Sequence, residues 1–154
     1  MINQEVIVNQ QLQERIHYDN PDFPLARFID EMDYFVDGEF LCHWHPEFEL
    51  AIILKGGIEY QVDQQVFRLH QGEGIFITSR ALHSARQLIP GSIIFNIEFP
   101  ASLFHTIGTS FLYQNYFNPS SLKKMGSWKI LPENEEGSEI LERLMHIHSS
   151  DPDK

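Results

Sequence analysis

Cys42-His43-Trp44-His45-Pro46-Glu47-Phe48-Glu49 concentrates more ligand-type side chains than any other stretch of this chain. Two histidines stand two residues apart, and a carboxylate follows the second by four. In an extended strand, residues i and i+2 project from the same face, so His43 and His45 point the same way. Pro46-Glu47 bends the chain, and Glu49 begins the next strand opposite them. Neutral imidazole nitrogens with a carboxylate suit one divalent transition metal such as Zn, Ni, Fe or Mn, with positions left open for water or substrate. A fourth ligand has to come from elsewhere, and His83 is the candidate. The competing reading is that the histidines are polar strand residues or hydrogen-bonded core residues, and that the four side chains hold an organic ligand directly. Glu47, two residues before Glu49, is an alternative ligand but reads as a solvent-facing turn residue, while Cys42 and Trp44 alternate away from the ligand face. His17, His70, His105, His146 and His148 have no partner at ligand spacing.

These groups need elements to position them. Short apolar runs with turn signals between them extend from Phe40 to Phe99. The runs are Phe40 to His45, Phe48 to Lys55, Ile58 to Asp63, Val66 to Leu69, Ile75 to Thr78, Ala81 to Leu88 and Ser92 to Phe99. Gly56-Gly57, Asp63-Gln64-Gln65, Gly72-Glu73-Gly74 and Pro90-Gly91 separate them. Regular spacing of this kind predicts an antiparallel sandwich or barrel. Before it lie an arm, residues 1–24, with a strand-like Glu5 to Val8, and an extended run from Leu25 to Val36. In Ser92 to Phe99, Ile93, Phe95, Ile97 and Phe99 share one face and Asn96 and Glu98 the other. If the apolar face packs outward, Asn96 and Glu98 line a pocket. Arg27 and Tyr60, in neighbouring strands, are further candidates for holding a polar ligand.

After Pro100 the pattern becomes helical. Short helices are expected over Ala101 to Ile107 and Ser110 to Phe117, and a last strand over residues 127–131. A final helix carries Ile140, Leu141, Leu144, Met145 and His148 as one stripe, which is core or dimer surface. The formal charge is -11, from 22 acidic against 11 basic residues, and the basic residues are scattered. That argues against direct nucleic-acid binding by these residues. The single Cys42 fits a reducing compartment, and no apolar run is long enough to span a bilayer.

The spacing Gly38, His43, His45, Glu49, Gly56, followed by Gly72 and His83, resembles the two motifs of a cupin. Gly38 stands one residue too close to His43, and Thr78, Arg80 and Gln87 depart from the second motif. The phrase His43-Trp44-His45-Pro46-Glu47-Phe48-Glu49-Leu50 and the segment Ala81-Leu82-His83-Ser84 are similar to the N-terminal cupin domain of AraC-type bacterial transcription regulators. So is the region from Phe111 to Tyr116 with the final helix. The resemblance implies a mainly β protein: a cupin, RmlC-like jelly-roll barrel over residues 25–100, then a C-terminal helical dimerisation region and linker start over residues 101–154. It implies His43, His45, Glu49 and His83 as metal ligands. It also implies a cytoplasmic homodimer that senses a small polar effector, such as a sugar, and reaches DNA only through a helix-turn-helix domain outside these residues. The rival expectation is a metal-dependent cupin enzyme, an oxygenase, isomerase or decarboxylase.

Overall fold

The computed structural model describes residues 2–3, 5–106 and 125–150. Ten strands are assigned among them: β1 (Ile2–Asn3), β2 (Ala26–Glu31), β3 (Glu39–His43), β4 (Phe48–Lys55), β5 (Gly57–Val62), β6 (Gln65–His70), β7 (Gly74–Ile77), β8 (His83–Gln87), β9 (Ile93–Phe99) and β10 (Trp128–Ile130). They form two facing sheets, β1-β2-β9-β4-β7-β10 and β3-β8-β5-β6, a jelly-roll arrangement of the cupin type. Apart from the parallel β1–β2 pair, the strand pairs are antiparallel.

The larger sheet is covered on both faces, which explains why β4 reads as an almost unbroken apolar run. Its inward residues Ala51, Ile53, Ile75, Ile77 and Ile94 pack with Phe40, Ile58, Tyr60, Val62, Leu69 and Ala85 of the smaller sheet. Its outward residues Phe48, Ile52, Phe76, Phe95, Ile97 and Phe99 pack under helix α2 (Glu135–Ser149) through Leu141 and Leu144. The apolar stripe of the last helix is therefore used as core, and Met145 at its edge is 40% exposed. Glu135 and Glu136 fill the first turn of α2, where negative charge is favourable. Gly137 meets the Leu131 carbonyl so closely that a Cβ would not fit, and this lets the helix fold back directly after β10. At the β4–β5 turn Gly56 has a φ of 81°, the left-handed region glycine favours.

The structure departs from expectation at several places. The run from Leu25 stops as a strand at Glu31, and two 3-10 turns, Met32–Tyr34 and Val36–Gly38, carry the chain to β3. Glu5 to Val8 is not a strand. The pairing partner of β2 is instead Ile2–Asn3, and Val8 only bridges Glu14. The helix expected at Ala101 to Ile107 is one turn, α1 (Leu103–Thr106). The helix at Ser110 to Phe117 and the tail after Ser150 lie outside the described residues. No helix among the described residues is long and apolar enough to cross a membrane.

Since Leu144 is buried between α2 and the sheet, Leu144→Ala should cost about 2–5 kcal/mol of unfolding free energy in a urea titration. Met145→Ala, at the exposed edge, should cost far less.

Candidate metal centre

β3 and β8 lie side by side, and His43 is paired with His83. One extra residue bulges out of β3 between Phe40 and His43. The bulge breaks strict alternation, so Phe40 and His43 both face inward while Leu41 faces solvent. His45 follows two residues later on the same face. The three rings cluster, with centroids 4.2 Å apart for His43–His83, 5.0 Å for His45–His83 and 5.9 Å for His43–His45.

Each ring is oriented by a backbone carbonyl two residues away along the chain. Nδ1 lies 2.9 Å from the Leu41 oxygen in His43, 3.3 Å from the Glu47 oxygen in His45 and 2.9 Å from the Ala81 oxygen in His83. A carbonyl can only accept, so Nδ1 carries the proton and donates. Nε2 is thereby left inward as the ligand atom, an arrangement common in histidine metal sites. His45 Nε2 and His83 Nε2 are buried without a hydrogen-bond partner. Ligand atoms of His43, His45 and His83 all lie within 4.8 Å of one another. Glu49 Oε2 sits 3.6 Å from His45 Nε2 and 3.3 Å from His83 Nε2. Orphaned inward nitrogens beside a buried carboxylate fit a divalent first-row metal, and these four residues would hold it.

The register of β9 against β4 sets the rest. Glu98 is paired with Glu49 and Asn96 with Ala51, all facing the interior. Glu98 Oε1 is 3.9 Å from His45 Nε2. Burial, then the Glu49 charge, pushes the Glu98 carboxyl well above the usual range, so it keeps its proton. Burial pushes Glu49 the same way, but His45 and His83 more than reverse it and hold Glu49 ionised. Burial would lower His83, yet the adjacent Glu49 carboxylate raises it above the ordinary histidine value. Burial, and then the His83 charge, brings His43 down to about 3.

Of the ligand candidates, Asn96, Glu98 and Tyr60 face the interior. Asn96 Nδ2 donates to Asp30 Oδ2 at 2.7 Å, and the Tyr60 hydroxyl is fully buried without a hydrogen-bond partner. Arg27 is not brought there. It pairs with Ile97, whose side chain belongs to the outer cluster, and it borders a cleft of about 280 Å³ with Glu14, Ile16 and Phe28. The inward residue of β2 is Asp30, which sequence reasoning missed although it lies on the Ala26–Phe28 face. Glu47 is also corrected. It is buried rather than solvent-facing, and Tyr18 Oη donates to its Oε1.

The second omission is Glu14. The arm turns back on itself at Asn9–Gln13 and lies along Trp44. Trp44 N donates to the Leu12 oxygen at 3.0 Å, Glu14 N donates to the Trp44 oxygen at 2.9 Å, and Trp44 Nε1 donates to the Gln11 oxygen at 2.9 Å. This places Glu14 Oε2 3.5 Å from His43 Nε2. Burial, then the Glu49 charge, raises its carboxyl to about 7. No spacing rule links an isolated acid in a Gln-rich arm to a site some thirty residues away.

Residues 31–88 match the cupin domain family, and the two facing sheets have the jelly-roll arrangement of that fold. Over 81 residues the chain is 30% identical to YdeC, an uncharacterized HTH-type transcriptional regulator of Bacillus subtilis (strain 168), covering 53% of this chain and 28% of that protein. The chain thus spans less than a third of the length of that relative. Among solved structures it is similar to KdgF from Halomonas sp., at TM-score 0.44 and 18% identity over 51% of this chain and 71% of that one. An RmlC-like cupin from Shewanella frigidimarina NCIMB 400 gives TM-score 0.42 and 20% identity over 51% and 68%.

The raised Glu14 carboxyl has a measurable consequence in metal-free protein. Its folded pKa of about 7 lies above the ordinary 4.5, so the folded state binds more protons between these values. The contribution is fully present below the lower value and is lost as pH rises through the upper one. Glu14→Gln, which never ionises, should therefore gain roughly 1–3 kcal/mol over the parent above pH 7 and little below 4.5. Chemical denaturation with a chelator present, across that range, measures it.

Proposed function

We propose that this cupin domain is a metal-centred sensing module of an AraC-type transcription regulator, which binds a small polar effector inside the barrel. The observation that carries the proposal is the set of three buried histidines, each pinned at Nδ1 by a carbonyl, with the Nε2 atoms of His45 and His83 turned toward Glu49. A divalent metal held by His43, His45, Glu49 and His83 would supply Lewis acidity and coordination positions for effector oxygens. Asn96, Tyr60 and Glu98 supply hydrogen bonds deeper in the barrel. No Lys or Arg is among the buried described residues. A lining of carboxyls, an amide, a phenol and imidazoles suits hydroxyl groups, which favours a sugar or other polyhydroxylated molecule.

The regulator reading is supported by the likeness to YdeC, an uncharacterized HTH-type transcriptional regulator. On this reading DNA is contacted by a separate domain, and homodimerisation uses the C-terminal helical region in the cytoplasm. Effector binding acts by favouring one arrangement of arm and helices over another. A second reading, a metal-dependent enzyme, is favoured by one observation: a carboxyl that keeps its proton, Glu98, lies beside His45 and could donate it to a bound molecule.

After incubation with Mn, Fe, Ni or Zn salts and desalting, the protein should retain close to one equivalent of metal by elemental analysis. A His43→Ala/His45→Ala/His83→Ala variant should retain none, and retention undiminished by the triple change would refute the assignment. Thermal-shift screening of the loaded protein against sugars and organic acids should give a stabilising hit among the polyols that is recovered unchanged. Recovery of a converted product would favour the enzyme reading.

A further inference from the structure

Four candidate ligands come from the barrel strands or the turn between them, and Glu14 does not. It reaches the centre on the arm, at a position fixed by the backbone. The arm pairs with Trp44, the residue between the ligands His43 and His45, through hydrogen bonds on both sides of the Trp44 peptide. Ile16 is buried just beyond, and Tyr18 donates to Glu47, so the arm is held on both sides of the site. The Glu14 side chain is only 16% exposed. Its Oε2 is 3.5 Å from His43 Nε2, and ligand atoms of Glu14, His45 and Glu98 lie within 4.8 Å of one another. Both candidate ligand groups share His45, so they belong to one centre rather than two.

We propose that Glu14 is a further ligand of the metal held by His43, His45, Glu49 and His83, so that metal binding fastens the N-terminal arm to β3. This rests on the metal-centre reading above. A carboxylate within hydrogen-bonding range of His43 alone would serve only to hold that ring. Glu14 also reaches His45 and Glu98, which a role confined to His43 does not require. Because the arm is not part of either sheet at this point, its release would remove a ligand without disturbing the barrel. The arm thereby sets how many metal positions are open to another molecule.

Cobalt(II) is the probe, with the full chain as parent and as Glu14→Gln, which keeps the size and an oxygen acceptor but loses the charge. Affinity is read by competition with a chromophoric chelator, geometry by the visible cobalt spectrum, and arm docking by trypsin cleavage after the exposed Arg15. Glu14→Gln should bind cobalt at least about tenfold more weakly, since even an outer partner of a ligand is typically worth that much. Its spectrum should change, and cobalt should slow cleavage after Arg15 in the parent but not in the variant. Equal affinity, spectrum and protection in parent and variant would overturn the role of Glu14 while leaving the metal centre intact. If the parent takes up no cobalt, the metal-centre reading fails and the Glu14 proposal fails with it.

Discussion

Two carboxylates, Glu49 and Glu98, face each other from adjacent strands inside the barrel. Side chains so paired have Cβ atoms roughly 5 Å apart, and like charges in that relation repel. In a buried setting both cannot stay ionised. Two of the histidines decide which one does, because Glu49 lies within reach of His45 and His83 while Glu98 touches the cluster only at 3.9 Å. Glu49 becomes the anion and Glu98 the acid, and the site acquires one charged and one protonated carboxyl from the same residue type. This division depends on the β4–β9 register, because a one-residue slip of either strand would turn its carboxyl out under α2 and separate the pair.

The remainder of the fold protects that register. Phe48, Leu50 and Ile52 alternate with Glu49 and Ala51 along β4, and α2 covers that outer face, which leaves Phe48 and Ile52 buried and Leu50 half-buried. The helix thus specifies which face of β4 and β9 points inward, although it packs on the face opposite Glu49. The bulge in β3 does comparable work on the opposite sheet. It brings Phe40 and His43 to the same side, so an aromatic ring packs edge-on against His43, and the exposed Leu41 supplies the carbonyl that orients it.

Much of this was legible in the sequence because the signals were local. His43, His45 and Glu49 are read from strand alternation and one bend. Asn96 and Glu98 follow once Phe95, Ile97 and Phe99 are assigned to the outer face. What could not be read depends on long-range pairing. Arg27 and Asp30 lie on opposite faces of one short strand, and alternation alone does not say which face is inward. Only the pairing of Asp30 with Ile94 and of Arg27 with Ile97 settles it. Glu14 and the burial of Glu47 come from the arm docking on Trp44, an interaction carried by backbone groups that every residue possesses and no residue type announces. The bulge is equally silent, since neither Leu41 nor Cys42 marks it.

The energetic character of the site follows from the same inventory. His45 Nε2, His83 Nε2, Tyr60 Oη, Asn96 Oδ1 and Glu98 Oε2 are buried without hydrogen-bond partners. Each such atom typically costs on the order of 1–3 kcal/mol relative to a satisfied one. Natural cores rarely keep several together unless something binds there. Two of the five atoms are imidazole nitrogens that can share a metal with Glu49. The other three are a hydroxyl, an amide oxygen and a carboxyl oxygen that can share a polar organic molecule. Loading by either partner stabilises the folded state by mass action. With both kinds of orphan in one barrel, occupancy by one partner pre-orders the side chains that meet the other. Asn96 and Glu98 sit on one strand directly beside Ala51 and Glu49, so metal and organic ligand would be coupled through neighbouring strand positions rather than through a distant path.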